Sequence, residues 1–427
     1  MQKKLSFRSV LSLVIGSQIG SGIFLLPSSL ATIGPISLFG WLFSGTGAIF
    51  LALIFAALSR LILKGGGPHV YIEKAFGRNA AFFTAWTYWL VSWVSSIAVI
   101  VAAVGYLAAL FTFSHPLLIL FVEILILISI TSLNIRGAVI AGSLELLFTL
   151  LKTLPLILIP IFALFYLDSN NFYPINPHHL PLFSSLNTAT LMTFWGFIGV
   201  ETATTTSAII ENPSKTIPKA IILGTLIVAA IYFINSFAIM GVLSADTLVN
   251  TGAPYAVATQ VLFGKGWDIA ISIIAFIACL GTLNAWVLTS GQIAQEAAKD
   301  RLFPPLFAKK NTYDSPYISL LIPMLCTLPL LFFTLTPNIL QQLNTIIDIS
   351  VLTFVFVYLA AAISFVKITY QEKSLAKLIG AFFSILFCLW ILVFTSWYNL
   401  LACSLFVITG LPVYLWQKRG WAGVLAK

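Results

Sequence analysis

The chain has 427 residues, of which 59% are hydrophobic and only 8% are charged, and its formal net charge is +9. A soluble domain cannot bury so large an apolar fraction, so the composition excludes a soluble enzyme and predicts a helical protein that crosses the membrane many times. The positive charge does not indicate a nucleic-acid partner, because the basic residues lie between apolar segments, where they report membrane topology.

Twelve apolar segments are long enough to cross the hydrocarbon core of a bilayer as helices. We number them as predicted spans 1 to 12, and they lie at about 10–31, 36–63, 80–111, 116–134, 141–167, 185–210, 218–243, 268–297, 316–336, 343–366, 377–396 and 399–417. The connections are too short for an attached soluble domain, so residues 1–427 are expected to form a single membrane domain.

The lysines and arginines predict the orientation of the spans. All but two of the 22 basic residues fall on the side of the membrane that would hold both termini, and the exceptions are Lys152 and Lys265. Because positively charged loops stay in the cytoplasm, we expect both termini to be cytoplasmic in a cell inner membrane.

Span 1 contains the stretch Gly16-Ser17-Gln18-Ile19-Gly20-Ser21-Gly22-Ile23-Phe24. Its glycines and serines weaken a helix at membrane depth, where unwound backbone is tolerated only if it is buried in protein or lines a cavity. If the helix restarts after Gly20, the amides at its new start suit a carboxylate. The alternative is helix packing, because Gly16 and Gly20 also fit a small-xxx-small contact.

Span 6 contains a second interruption, Phe194-Trp195-Gly196-Phe197-Ile198-Gly199-Val200-Glu201, which is followed by a run of threonines. It comes five spans after the first interruption, so the two halves of the chain cross the membrane in opposite directions. Interrupted spans at matching positions predict an inverted-repeat transporter with its substrate at the midplane. The repeats would cover about 10–167 and 185–366, with about 377–417 outside them.

Two further motifs follow these interruptions, Gly281-Thr282-Leu283-Asn284-Ala285-Trp286 and Asp300-Arg301-Leu302-Phe303-Pro304-Pro305. With Gly20–Phe24, Pro27 and the Phe194–Glu201 stretch, they resemble the amino acid–polyamine–organocation superfamily. Within it, the sequence is most similar to basic amino acid/polyamine antiporters, particularly arginine/agmatine exchangers. The resemblance covers nearly the whole chain and implies an all-α, LeuT-like 5+5 inverted repeat of 12 transmembrane helices with helices 1 and 6 broken.

The same resemblance implies where the substrate binds. Ser21 and Gly22 would hold the substrate carboxylate, and backbone carbonyls at the two interruptions would receive the α-ammonium. Trp286 would stack on a cationic side chain, since indole faces attract cations. Trp195 and Tyr88 would cover the substrate. The predicted substrate-binding residues are Ile19, Ser21, Gly22, Tyr88, Ser92, Ser96, Trp195, Ile198, Trp286 and Ser350.

Span 3 departs from the resemblance. The arginine/agmatine exchangers carry an asparagine where this chain has Ser96, with Ser92 one turn before it. The serine side chain is shorter than that of asparagine, so it leaves room or loses a contact at the distal end of the substrate. The sequence therefore does not predict which distal group the substrate carries, and ornithine, lysine and putrescine stay alternatives to arginine and agmatine.

Three residues are predicted to couple transport to protons. Glu201 is an intramembrane carboxylate at which substrate and proton can compete. Lys152 resembles the lysine that replaces a sodium ion in some relatives of this fold, where it would contact freed carbonyls near Gly16 to Ile19. His69 lies near the cytoplasmic mouth, where an imidazole can respond to pH.

Three other carboxylates lie within predicted spans, and intramembrane carboxylates are candidates for function. Glu145 is close enough to a span end to reach the interface, and Glu123 has no motif around it. Asp348, two residues from Ser350, could sense a cationic substrate or pair within the bundle.

The sequence therefore predicts a transporter, not an enzyme, that exchanges a cationic amino acid for its decarboxylated amine by alternating access. The alternatives are an ornithine/putrescine or lysine/cadaverine exchanger, or a proton-coupled amino acid importer of the same fold. A channel is disfavoured because glycine breaks with bulky tryptophans do not make a continuous polar pore. A metalloenzyme is disfavoured because His178 and His179 have no partners at metal-ligand spacing.

We expect no cofactor and no metal. The expected partners are small amino acid or amine substrates and the lipid bilayer. The oligomeric state stays open, with a homodimer as one option.

Overall fold

A computed structural model describes residues 4–111, 115–177, 179, 181–335, 339–372 and 374–425, and His178 lies outside them. Within these ranges the regular structure is helical, apart from one isolated parallel bridge between Leu5 and Ile210. The α-helices of the described ranges are α1 (Phe7–Gln18), α2 (Ser21–Ala31), α3 (Leu38–Leu61), α4 (Pro68–Phe76), α5 (Arg78–Val94), α6 (Ser96–Phe111), α7 (Pro116–Ile135), α8 (Ala138–Ala163), α9 (Leu182–Phe194), α10 (Thr202–Thr205), α11 (Pro213–Val242), α12 (Ala245–Val249), α13 (Pro254–Phe263), α14 (Trp267–Lys299), α15 (Tyr317–Leu331), α16 (Ile339–Thr369), α17 (Leu375–Val393), α18 (Trp397–Ile408) and α19 (Leu411–Leu425).

Ten helical segments of the described chain are long and apolar enough to cross a membrane. They correspond to predicted spans 1–5, 7–10 and 12, which confirms a polytopic all-α membrane protein. Predicted span 11 matches the shorter apolar helix Lys377–Val393. Predicted span 6 is divided by its interruption. The count of twelve therefore stays a prediction.

Both predicted interruptions are present. The first lies between the end of α1 at Gln18 and the start of α2 at Ser21. The second lies between the end of α9 at Phe194 and the start of α10 at Thr202. Both are surrounded by other helices, since α1 packs on α8, α11 and α14 and α9 packs on α3. The interrupted backbone is thus kept away from lipid, as the lack of hydrogen-bond partners in hydrocarbon requires.

Predicted span 3 is a single apolar run, but the structure divides it into α5 and α6 at Ser95. The hydroxyls of Ser95 and Ser96 both donate to the carbonyl of Ser92, at 3.3 and 3.1 Å. Serine hydroxyls that bond to the preceding turn bend helices, and hydrophobicity alone does not reveal this.

The connection between predicted spans 2 and 3, residues 64–79, contains α4, which begins at Pro68. Proline suits the first turn of a helix because its missing N–H would have had no partner there. His69 lies in this helix and its side chain is fully buried, so it is not part of an exposed loop.

Candidate substrate site

The first interruption exposes the start of α2. Ile19 is extended, and Gly20 has φ −142° and ψ −137° and makes no side-chain cap on the helix that follows. The amides at the start of a helix have no partners within the helix, and the dipole is positive there. Ser21 and Gly22 therefore present a start of helix that can hold a carboxylate.

The last carbonyls of α1 are freed by the same interruption, and side chains from α8, α11 and α14 donate to them. Buried backbone oxygens need such partners, because no water or lipid replaces the missing helical bonds. The four contacts are Lys152 Nζ to Gly16 O (2.8 Å), Trp286 Nε1 to Ser17 O (3.3 Å), Tyr232 OH to Gln18 O (2.6 Å) and Thr282 Oγ1 to Ile19 O (2.8 Å).

The second interruption is tied directly to the first. After a short turn at Trp195–Phe197, Gly199 adopts φ +109°, and a Cβ there would lie 2.7 Å from Ser17 Oγ. The conformation and the close approach both require glycine. The Ser17 hydroxyl lies 3.2 Å from the carbonyl of Gly199 and 3.1 Å from Thr202 Oγ1, so it links the two breaks.

A narrow cleft lies between the two breaks, α14 and the junction of α5 and α6. It adjoins a larger cleft of about 920 Å³ that reaches Thr251 and Gly252, and Trp195 lines both. The smaller cleft is lined by Ser17, Gln18, Gly20, Ser21, Gly22, Ser95, Val99, Trp195, Ile198, Thr282 and Trp286.

Five of the ten predicted substrate-binding residues line this cleft, namely Ser21, Gly22, Trp195, Ile198 and Trp286. Ile19 does not line the cleft, because its side chain is in the core and its carbonyl accepts the hydroxyl of Thr282. The other four are buried but do not line the cleft, and their roles stay predictions; they are Tyr88, Ser92, Ser96 and Ser350.

Sequence reasoning missed Gln18, Ser95 and Val99, which do line the cleft. The resemblance predicts Ser96, at the position of an asparagine in the exchangers, and Ser92 is the serine one turn before it. Of the three neighbouring serines, Ser95 is the one that lines the cleft. The sequence offers all three and does not tell which of them lines it.

Glu201 is buried next to the cleft and accepts two phenol hydroxyls. Tyr88 OH donates to Oε1 at 2.6 Å, and Tyr358 OH donates to Oε2 at 2.5 Å. Tyr358 OH also accepts the amide of Gly199 at 3.3 Å. The carboxylate therefore holds α5 and α16 against the second interruption. Tyr358 was not singled out in the sequence.

Lys152 forms a buried ion pair with Glu145, with 3.8 Å between Nζ and Oε1 and no exposed side-chain surface on either residue. Asn284 Nδ2 donates to Glu145 Oε2 at 2.9 Å, and Thr149 Oγ1 lies 3.3 Å from Oε1. The expectation that Glu145 reaches the interface is wrong, since it points into the bundle. A buried carboxylate is tolerated there because it is paired and hydrogen-bonded.

The Gly16-x-x-x-Gly20 spacing makes room for these polar side chains. A Cβ on Gly16 would overlap Glu145 Oε1, and a Cβ on Gly20 would lie 2.6 Å from Thr282 Oγ1. On α14, a Cβ on Gly281 would lie 3.3 Å from Lys152 Nζ. The spacing thus serves close packing, as one sequence alternative proposed, but against polar groups from α8 and α14.

On the side of the molecule away from Thr251, contacts close the bundle. They join the loop after α3 to the end of α10 and to Asp300, which follows α14. Lys64 Nζ lies 2.5 Å from Asp300 Oδ1, and His69 Nε2 lies 3.6 Å from Oδ2, just beyond hydrogen-bond range. The amide of Gly66 donates to Thr205 O at 3.3 Å. The cleft is therefore reached from the side of Thr251, while this second side is closed.

Burial alone would raise the pKa of Asp300, but the neighbouring His69 and Lys64 outweigh it and hold that pKa below the ordinary 3.8. A lowered carboxyl pKa means that the charged contact is present above the ordinary value and is lost only as the pH falls through the lowered one. We therefore expect Asp300 to stay charged throughout the neutral range and to stabilise this closed side there.

Asp300→Asn should weaken this closure, because the amide keeps the size of the carboxyl group but loses the charge that attracts Lys64. In a background without native cysteines, a cysteine replacing the buried Thr205 should then react faster with a maleimide. The matched control is Asp314→Asn, which removes the acidic partner of the exposed Lys310 pair. Equal labelling rates in Asp300→Asn and the unmodified background would show that Asp300 does not hold this side closed.

The two broken helices, the buried cleft between them and the closure on one side define a polytopic helical transporter. A family model described as amino acid permease matches residues 5–417. The chain belongs to the amino acid permease family.

Relatives of known name support this assignment. The chain is 30% identical over 383 residues to the putrescine transporter PotE of Escherichia coli K12, with 87% of each chain covered. It is 33% identical over 350 residues to PotE of Haemophilus influenzae, covering 81% of this chain and 80% of that one. It is 29% identical over 326 residues to the cadaverine/lysine antiporter of Escherichia coli K12, covering 75% and 72%. These relatives confirm the predicted antiporter family and a transporter, not an enzyme.

Proposed function

We propose that the protein exchanges a cationic amino acid for its decarboxylated amine across a bacterial inner membrane by alternating access. The observation that carries the proposal is the cleft in which the start of α2 and the indole of Trp286 face one substrate volume. The first suits a carboxylate and the second suits a cation. The predicted pair is arginine and agmatine, and the names of the relatives favour testing putrescine and cadaverine with their parent amino acids.

In this proposal Ser21 and Gly22 bind the carboxylate through their amides, and Trp195 covers it. A Cβ on Gly22 would lie 3.2 Å from Trp195 Cδ1, so the indole packs directly on this backbone. Ile19 and Ile198 contribute backbone carbonyls towards the ammonium. Tyr88 acts from the side as the partner of Glu201.

Counterflow in proteoliposomes tests the exchange. Vesicles loaded with unlabelled agmatine, putrescine or cadaverine should accumulate labelled arginine, ornithine or lysine, and empty vesicles should not. One matched pair should exceed the others. Uptake into empty vesicles that follows an imposed proton gradient would instead support the second candidate, a proton-coupled importer, which the buried pair of Glu145 and Lys152 favours.

Trp286→Leu should weaken the binding of cationic substrates by about 1–2 kcal/mol, because it removes the aromatic face. It should weaken neutral amino acids much less. Trp286→Phe is the matched control, since it keeps an aromatic face and loses the indole N–H that donates to Ser17 O. Competition binding with both substrate classes measures the difference, and equal losses for both in Trp286→Leu would mean that the indole only packs.

We also propose that both termini are cytoplasmic. The structure supports this by bringing basic residues from four separate segments to one cavity of about 940 Å³ on the closed side, namely Lys4, Arg136, Lys299 and Lys310. The inverted repeats at about 10–167 and 185–366 are proposed as the halves that move during alternating access. Glu201, Lys152 and His69 stay the proposed proton-coupling residues, supported by their complete burial.

A further inference from the structure

Gln18 is the last residue of α1, is 4% exposed and lines the substrate cleft. Its Nε2 donates to the carbonyl of Val14 at 3.0 Å. A carbonyl only accepts hydrogen bonds, so this contact fixes which end of the amide is nitrogen. The side-chain oxygen Oε1 must then point away from Val14.

The Oε1 atom of Gln18 is buried and has no hydrogen-bond partner among the residues that the structure describes. An unpaired buried amide oxygen is unfavourable, so one that lines a ligand cleft calls for a donor from the ligand. The neighbouring hydroxyls of Ser17, Ser95 and Thr282 differ, because each has a carbonyl within hydrogen-bond distance.

The position of Gln18 is held by two hydrogen bonds. Its own carbonyl accepts Tyr232 OH at 2.6 Å, and its Nε2 is anchored one turn back on α1. The acceptor is therefore fixed before the substrate arrives, which lowers the entropy lost on binding. None of the described residues that line the cleft is acidic. A cationic N–H group of the substrate therefore meets no carboxylate in the cleft lining that would compete with Gln18 as its acceptor.

We propose that Gln18 Oε1 accepts a hydrogen bond from the α-amine of the substrate and is a specificity-determining residue of the exchange. This rests on the proposed function. Decarboxylation removes the carboxylate that would bind the start of α2, but it leaves the α-amine. An exchanger of both partners needs a contact that both make, and Gln18 supplies it.

Two variants separate the acceptor from the packing of the side chain. Gln18→Met keeps the approximate length and removes both the acceptor and the bond to Val14. Gln18→Glu keeps an acceptor oxygen, replaces the Nε2 donor by a second oxygen and adds a carboxylate charge. Thermal unfolding of each purified variant shows whether it is folded.

Binding is measured with arginine, agmatine and 5-guanidinopentanoate, which is arginine without its α-amine. It is measured in parallel with lysine, cadaverine and 6-aminohexanoate, and with ornithine, putrescine and 5-aminopentanoate. The unmodified protein should bind arginine or lysine more tightly than the analogue without the α-amine. Gln18→Met should reduce this preference roughly tenfold or more, and Gln18→Glu should retain it.

Equal weakening of the amino acid and its analogue by Gln18→Met would overturn the inference, as would a loss of preference in Gln18→Glu equal to that in Gln18→Met. The proposed function can fail separately. If the unmodified protein binds none of the nine compounds, the function and the inference both fall. If it binds them and Gln18→Met leaves the preference intact, only the inference does.

Discussion

Lys152→Ala should abolish uptake or reduce it strongly. Lys152 Nζ donates to Gly16 O at 2.8 Å and lies 3.4 Å from Thr282 Oγ1, so it joins α8 to the freed end of α1 and to α14. Removing one member of a buried ion pair typically costs about 3–5 kcal/mol, because the remaining charge is left without compensation. Here that charge would be Glu145 of α8, which lies beside Gly16 of α1.

The same contact predicts uptake that needs no sodium. The ammonium of Lys152 already bridges α1 and α14. By the family resemblance, it stands where a sodium ion would otherwise be required. Uptake should be equal in sodium and choline buffers. Lys265→Ala is the matched control, because this exposed lysine lies in the loop before α14. Uptake that rises in proportion to a sodium gradient, or a fully active Lys152→Ala protein, would contradict the assignment.

A double variant separates charge balance from transport. Lys152→Met with Glu145→Gln removes both charges together, and such replacement of a buried pair is often neutral for stability. We expect the double variant to unfold at a higher temperature than Lys152→Met alone and still to transport poorly. Its transport should stay low because the bond to Gly16 O is absent.

Gly16→Ala should also disable the transporter. An alanine is about 1 kcal/mol more favourable than glycine in an ordinary helix. At this position its Cβ would overlap Glu145 Oε1 and lie 2.9 Å from Thr149 Oγ1. The added methyl group must therefore displace the buried pair or separate α1 from α8. Both outcomes disturb the start of the first interruption.

Gly105→Ala is the control for Gly16→Ala, because Gly105 is also helical and a Cβ there meets nothing within 4 Å. Thermal unfolding and substrate uptake of the two purified variants give the comparison. Gly105→Ala should match the unmodified protein in both. Normal uptake and stability in Gly16→Ala would show that the space beside Glu145 is not needed.

The class of protein and the places where its helices break follow from the amino-acid sequence alone. Long apolar runs with few charges have no other stable arrangement than membrane helices, because the backbone must pair within each helix. The glycines at 16, 20, 196 and 199 then mark where that pairing fails. Both breaks were predictable because the signal is local. The helix start at Ser21 follows from the same signal, whereas Trp195 was predicted from the family resemblance.

Which side chains meet at those breaks depends on how the separate helices pack together. Glu145 looks like an interfacial residue in the sequence, and it is buried because Lys152 lies two turns later on the same face of α8. Tyr358 lies 157 residues from Glu201, so no local pattern reveals that they bond. Ser95, at the junction of α5 and α6, lines the cleft in place of Ser92 and Ser96. The amide orientation of Gln18 depends on Val14 and on the cleft beside it. Such contacts depend on distances between separate helices, and these are fixed by packing of the whole bundle and not by any single segment.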